Sequence, residues 1–141
     1  MTITNRISTA LVAYLTPLVS GVEIVPQINA GTNEEFANRI VVIANSASEL
    51  SPALRHVFRV SGTIVIQQSA DTEDPETTFN TICSQVVAAL RNGESVEVGI
   101  NISGTGVSVY NKAFHVDNLK DAAGPRGFQA VIAWRLTAQE L

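Results

Sequence analysis

Apolar residues recur at intervals of three and four in two segments of the chain, which is the pattern of an amphipathic helix. The first segment covers residues 3–18, with Thr2 or Thr4 available as N-cap and Gly21 available as the stop. Pro17 lies in the last turn and lacks the amide hydrogen that a helix interior uses. We therefore expect this helix to kink or to end early.

The second amphipathic segment follows an acidic turn. Asp74 can cap the helix and Pro75 can occupy the first helical position, where its missing amide costs nothing. Glu76 adds negative charge at the positive end of the helix dipole. We expect Asn92 and Gly93 to close the helix. Its apolar stripe consists of Phe79, Ile82, Cys83, Val86, Val87 and Leu90.

Alternation of apolar residues with mostly polar ones predicts a long strand that begins near His56. Its apolar row contains Phe58, Val60, Gly62, Ile64 and Ile66, and its polar row contains Val57, Arg59, Ser61, Thr63, Val65 and Gln67. Gly62 is expected to mark a bulge or a bend.

Five shorter strands are predicted at GVEIVP, RIVVIAN, SVEVGINI, VSVYNKAFHV and GFQAVIAWRLTA. QINAGTNEEFANR, SASELSPA and DNLKDAAGPRG are predicted to be loops, and SGTG a hairpin turn. The order of elements predicts a single α+β domain over residues 1–141, with a mostly antiparallel β-sheet and two amphipathic helices packed on one face.

Composition narrows the functional classes. The chain is 45% hydrophobic and only 16% charged, which fits both a well-filled core and a surface that self-associates. Its net charge is -4 and its nine Lys and Arg residues are scattered, which argues against tight nucleic-acid binding. No apolar run reaches the roughly 18 residues of a membrane span, and the N-terminal segment does not resemble a secretory signal.

Candidate reactive residues are few. His115 lies two residues before Asp117, which could orient it as a base, although strand alternation instead predicts that the two share a solvated face. His56 is expected at the rim of the sheet. Cys83 belongs to an apolar stripe, where a small apolar filler is expected rather than a nucleophile.

Phosphate and metal sites are not predicted either. The cluster Asp71, Glu73, Asp74 and Glu76 could hold a hard cation, but it lacks the residue order of a calcium loop and is partly explained by helix capping. GTGVSV is followed by strand residues, so the helix of a dinucleotide site is missing. We therefore predict no catalytic residue, no cofactor and no metal, and a protein that is not an enzyme.

The order of these segments resembles the tail terminator (tail completion) proteins of long-tailed bacteriophages. The resemblance is carried by the N-terminal helix followed by SGVEIVP and RIVVIAN, the extended strand HVFRVSGTIVIQQSA, the opening TEDPETTFNTICSQVVAALRNG, and the last strand GFQAVIAWRLTA. It covers most of the chain and is one of architecture and patterning, without an invariant motif.

The resemblance implies a structural virion protein in the tail or neck, assembled in the host cytoplasm. It implies a homo-oligomer, a hexameric ring, that caps the tail tube and joins it to the head. Its partners would be the tail tube protein, the head-tail connector or neck protein and a possible sheath-related protein, with DNA passing through the lumen without specific binding. The expected interface residues are Arg59, Ser61, Thr63, Gln67, Glu34, Glu35 and Arg126.

Two other functions fit the same pattern. A head-closure, neck or minor tail protein differs from a terminator in the partner that each face of its ring meets. A small α+β enzyme or ligand-binding domain would need polar side chains pointing inward at several strand positions, whereas the predicted inward rows are almost wholly apolar. Arg126 in GPRG could contact a carboxylate on a neighbour or simply be exposed in a turn.

Overall fold

A single sheet flanked by two helices forms the fold in the computed structural model, which describes residues 3–26, 38–51, 54–71, 73–95, 100–101, 107–124 and 127–140. The elements within these residues are α1 (Ile3–Leu15), β1 (Glu23–Pro26), β2 (Arg39–Ser51), β3 (Leu54–Ser69), α2 (Pro75–Ser95), β4 (Ile100–Asn101), β5 (Val107–Gly124) and β6 (Gly127–Glu140). The predicted α+β fold is confirmed.

The six described strands pair in the order β1-β2-β3-β6-β5-β4. β1 runs parallel to β2, and every other pair is antiparallel. The two central strands are far apart in the chain, since Ser69 pairs with Gly127 and Val57 pairs with Gln139. β1 is a short edge strand that ends at Pro26, as predicted for a strand containing proline.

The first helix ends before Pro17, as predicted. Its last residue is Leu15, whose carbonyl accepts hydrogen bonds from the amides of Leu18 at 2.9 Å and Val19 at 3.0 Å in the turn that follows. Leu18 was expected in the apolar stripe, but it is 48% exposed. Because the chain leaves the helix in this turn, Val19 is buried instead of Leu18. Gly21 has a φ of 78° in the turn beyond.

The start of α1 excludes one of its two predicted caps. The helix begins at Ile3, so Thr4 lies within it and cannot be the residue before its first turn. Thr2, the other candidate, lies outside the described residues.

The second helix starts as predicted and continues further. Asp74 precedes it, and the Asp74 carbonyl accepts a hydrogen bond from the amide of Thr78 at 3.0 Å. Asp74 has a φ of 45°, a left-handed conformation rather than the extended one usual at an N-cap. The helix runs through Asn92 and Gly93 to Ser95, so the predicted end was two residues short. A glycine lowers helix stability by about 1 kcal/mol but does not by itself end a helix.

The end of β2 was predicted too early in the chain. SASELSPA was predicted to be a loop, whereas β2 continues to Ser51 and pairs with β3 beyond Ala44. A register shift makes this continuation possible: Ala44 pairs with Gly62 and Ser46 with Ser61, which leaves Asn45 as an extra, bulged residue. The predicted bulge at Gly62 is therefore present, but on the neighbouring strand.

DNLKDAAGPRG was also predicted to be a loop, and this too is wrong. β5 continues to Gly124 and forms a hairpin with β6, in which Gly124 pairs with Gly127. Two register shifts interrupt the pairing of β5 with β6. The hydrogen bonds between two strands join backbone groups and do not require apolar side chains. A polar segment such as the end of β5 can therefore pair with β6. The predicted SGTG turn lies outside the described residues.

One hydrophobic core joins both helices to a single face of the sheet. The buried stripe of α2 consists of Phe79, Ile82, Val86, Ala89 and Leu90, while Cys83 and Val87 are only half-buried at its margin. From the sheet come Ile40 and Val42 of β2, Val60, Ile64 and Ile66 of β3, and Ala130, Ile132, Trp134 and Leu136 of β6. The rings of Phe79 and Phe128 stack with centroids 5.4 Å apart.

The two helices also contact each other. Tyr14 of α1 donates a hydrogen bond from its hydroxyl to the carbonyl of Ala89 in α2, at 2.9 Å. Burial raises the pKa of Tyr14 above its ordinary value of 10.0. Both helices therefore lie on the inner face of the sheet, and the opposite face, which we call the outer face, is covered by neither.

Candidate functional site: the outer face of the sheet

The outer face contains the predicted interface residues that the structure describes. Arg59 is exposed, and Ser61, Thr63 and Gln67 are half-buried, in the row of β3 that points away from the helices. The row was predicted correctly because β3 alternates without interruption over this length. Glu34, Glu35 and Arg126 lie outside the described residues.

The centre of the outer face is largely apolar. Val41, Val65 and Val131 form one row across β2, β3 and β6, because each pairs with the next in register. Ile43, Thr63 and Ala133 form the adjacent row. Val65, Val131, Ile43, Thr63 and Ala133 are half-buried, and Val41 is only 6% exposed. None of these six residues carries a charge.

A polar ladder borders the apolar centre on one side. Arg39 donates from Nε to Oε1 of Gln67 at 3.4 Å, and Gln67 donates from Nε2 to Oε1 of Gln129 at 3.3 Å. The three side chains lie on three neighbouring strands. Gln67, which the sequence placed at an interface, already has both ends of its amide engaged within the sheet.

The opposite border carries hydroxyl and guanidinium groups. Ser46 and Ser61 share a hydrogen bond between their hydroxyl oxygens at 2.7 Å. Arg135 of β6 pairs with Ser61 and is exposed, while Arg59 is exposed one step along the same row of β3. Arg59 and Arg135 are thus diagonal neighbours across two strands, about 7 to 8 Å apart at their backbones. We call these two residues the cationic patch.

Arg135 was missed from the sequence although the signal for it was present. In GFQAVIAWRLTA, Trp134 and Leu136 were assigned to the inner face, and both are buried. The residue between them must point outward, because successive side chains of a strand alternate. Applying to β6 the rule used for β3 identifies Arg135 as a surface residue.

A second group of charges lies at the other end of β3. Asp71, Glu73, Asp74 and Glu76, which we call the acidic corner, are all exposed in the turn between β3 and the first turn of α2. The amide of Asp71 donates to the hydroxyl of Ser69 at 3.2 Å, which holds the turn against the strand end. Among the described residues, no three of the side chain types that ligate metals converge on one point.

The side of α2 that faces away from the core forms an open depression. Its lining consists of Thr77, Asn80, Thr81, Ser84, Gln85 and Ala88, none of which carries a charge. Oε1 of Gln85 is buried and has no hydrogen-bond partner in the part of the chain that the structure describes. These side chains can donate and accept hydrogen bonds, but none of them is an acid, a base or a strong nucleophile.

The backbone pairing of β5 with β6 is irregular around the predicted histidine and aspartate pair. His115 pairs with Arg135 in register, but the register shifts between Val116 and Asn118, which makes Asp117 an extra residue of β5. The predicted shared face of His115 and Asp117 assumed a regular strand, and it stays a prediction.

The chain matches no protein-family model, and no curated protein is significantly similar to it in sequence. Among the described residues, neither helix combines the length and the apolar character needed to cross a lipid bilayer.

Proposed function

We propose that this protein is a ring-forming structural subunit of a bacteriophage tail, of the tail terminator kind. Six copies would surround a channel, cap the finished tail tube and join it to the head. The proposal is supported by the resemblance in element order and by the α+β architecture, in which two helices cover one face of one sheet.

The observation that carries the proposal is the outer face. It combines an apolar centre around Val65 and Val131 with polar borders that contain Gln67 on one side and Arg59 on the other. A surface with an apolar core and a polar rim is typical of a protein contact. Among the residues of this face on β2, β3 and β6, none is a carboxylate or a histidine.

The mechanism of such a ring is geometric. A ring of identical subunits is closed by heterologous contacts, so each subunit must present two different and complementary surfaces to its neighbours. One face of the ring would match the last ring of the tail tube protein and prevent further addition. The other face would receive the connector or neck protein of the head.

Native mass spectrometry and negative-stain images of the purified chain test this function. We expect a mass close to six times the 15.0 kDa of one chain and round particles with a central hole. Tubes of the matching tail tube protein should bind the protein at one end and stop growing. A stable monomer or dimer that neither forms rings nor binds tubes would contradict the proposal.

A head-closure, neck or minor tail protein is the alternative in the same class. Binding experiments with the same purified chain distinguish it from a tail terminator. A terminator binds the end of a tail tube in the absence of heads, whereas a head-closure protein binds the connector of DNA-filled heads in the absence of tails.

A small enzyme or ligand-binding domain is the alternative from another class, and a monomer that binds a small molecule in the α2 depression would favour it.

A further inference from the structure

The sheet has two open edges among the described residues. β1 pairs with β2 on one side and with no described strand on the other. At the opposite end of the sheet, β4 pairs only with Val109 and Ser108 of β5. In the part of the chain that the structure describes, the rest of β5 pairs with β6 alone. A strand with a free side presents backbone amides and carbonyls that a further strand can bind.

The part of β5 nearest the hairpin is a regular edge. Residues 118–124 pair with β6 in unbroken register, whereas both register shifts of β5 lie before Asn118. Bulges turn an edge away from a new strand, so the regular segment is the part that can accept one. On the other side of the sheet, β1 ends at Pro26, which lacks the amide that longer pairing would need. We call residues 118–124 the β5 edge and Glu23–Pro26 the β1 edge.

The two edges lie at the same level of the sheet and run in opposite directions. Unbroken rows of paired residues cross from β1 through β2, β3 and β6 to β5: the row that begins at Glu23 ends at Ala122, and the row that begins at Pro26 ends at Leu119. One parallel and three antiparallel pairings separate β1 from β5, so the two strands are antiparallel. A copy placed beside the first in the same orientation therefore brings β1 against β5 without a shift along the strands.

We propose that the β5 edge of one subunit pairs with the β1 edge of a second copy of this chain, so that the sheets of neighbouring subunits join. The inference rests on the proposed ring function, because the contact uses two different surfaces of each subunit, as a closed ring requires. The match in level and direction selects a second copy over an unrelated strand. The matched register also places Lys120 diagonally opposite Glu23 of the neighbour, and opposite charges in such positions stabilise an antiparallel pair.

Joining the sheets in this register determines how the subunits are oriented in the ring. Residues that pair across strands lie on the same face of a sheet. The outer faces of all subunits would therefore form one continuous surface, with the helices on the other side. The apolar rows around Val65 and Val131 would lie on a single side of the ring wall.

Cysteines at the two edges test the contact. Glu23→Cys with Ala122→Cys places two thiols directly opposite each other in the proposed pairing, within the roughly 4.4 to 6.8 Å between Cα atoms that a disulfide spans. Within one chain these positions are separated by the spacing of β1, β2, β3, β6 and β5, about 19 Å in all. A disulfide between them can therefore only join two chains. Cys83→Ala removes the native thiol from this variant and from its control.

With oxidised glutathione as the oxidant, we expect a ladder of covalent oligomers that ends at the hexamer on a non-reducing gel. Glu23→Cys with Asn118→Cys is the matched control, because position 118 lies on the same edge but about 13 Å along the strand from position 122. We expect the control to give at least about tenfold less cross-linked oligomer. Equal cross-linking of the two variants, or none in the first, would overturn the contact.

Hydrogen exchange of the unmodified chain tests the contact without a substitution. Assembly should slow the exchange of amides on the free side of the β5 edge by at least about tenfold relative to the dilute monomer, because a second strand would bind them. Unchanged exchange of these amides in assembled rings would overturn the contact.

The outcomes also separate this contact from the proposed function. Rings whose β5 edge exchanges as in the monomer would overturn the contact and leave the ring function intact. Protection of the β5 edge only by added tail tube protein, without cross-links between copies, would assign the edge to that protein and overturn the contact. A chain that forms neither rings nor cross-links would overturn both.

Discussion

Gly62 lies on the central strand β3, where a side chain would collide with its surroundings. A Cβ atom built on Gly62 would clash with the carbonyl oxygen of Ile43, and it would also press on the Trp134 ring and on the backbone of Ala44. The absence of a side chain lets the indole ring lie over the strand opposite the Asn45 bulge. Space, rather than backbone conformation, requires glycine at this position.

Gly62→Ala should therefore lower the free energy of unfolding by about 3 kcal/mol or more, at the upper end of the cost of overpacking. Gly21→Ala is the control, because a Cβ at Gly21 meets nothing within 4 Å and the only cost is its φ of 78°. That left-handed conformation costs about 1 to 2 kcal/mol. Urea denaturation measures the free energy of unfolding of both variants. A smaller decrease for Gly62→Ala than for Gly21→Ala would contradict the steric explanation.

Tyr14 connects the two helices through one hydrogen bond. Tyr14→Phe should therefore lower the free energy of unfolding by about 1 kcal/mol near neutral pH. Burial holds the pKa of Tyr14 in the folded protein above 10.0, its ordinary value. The stabilisation is complete below pH 10 and is lost as the pH rises through the higher folded value, because the unfolded chain ionises first. The difference in unfolding free energy between wild type and Tyr14→Phe should shrink above pH 10, and a constant difference would contradict this assignment.

At the scale of elements, the sequence predicted which segments pack but not how far they extend. The rows of β3 and β6 and the stripe of α2 were predictable because each has one face against the core, and burial imposes a regular period. The C-terminal half of β2 and the end of β5 have polar sequences and are held by ladder hydrogen bonds to β3 and β6, respectively. No local pattern in SASEL or DNLKDAAG encodes that pairing.

Phe79→Ala tests how α2 is held on the sheet. Phe79 is 4% exposed and stacks on Phe128, so truncation should lower the free energy of unfolding by about 3 to 5 kcal/mol. Thr81→Ala is the control on the exposed side of the same helix, where a change within about 0.5 kcal/mol is expected. Thermal melting compares the two, and a Phe79→Ala variant that melts within a degree or two of wild type would refute the burial.

At the scale of the whole molecule, the fold class was predictable and the strand order was not. The parallel pairing of β1 with β2 and the position of β6 beside β3 join segments distant in sequence, and alternation within each strand says nothing about its neighbours. The same limit applies to the candidate site. Arg59 was assigned to the outward row from its own strand, but its proximity to Arg135 depends on the β3-β6 register.

In the proposed ring, the charge of each subunit affects the DNA that passes through the lumen. With a net charge of -4, the protein should repel a phosphate backbone, and we propose that this keeps DNA mobile in the lumen of the ring. We expect duplex DNA at physiological salt to bind more weakly than the roughly 10⁻⁴ M typical of non-specific DNA-binding proteins. Fluorescence anisotropy of labelled duplex measures this, and micromolar binding would count against a lumen that DNA passes without sticking.

The central position of β6 also constrains how the chain folds. Without β6, the described sheet divides into β1-β2-β3 and β4-β5, two parts with no shared backbone hydrogen bonds between strands. β6 is the last of these strands to leave the ribosome. Until then, one edge of β3 has no strand to pair with. Such long-range closure slows folding and leaves strand edges open meanwhile, so a nascent chain paused before Gly127 is the species that most needs a chaperone.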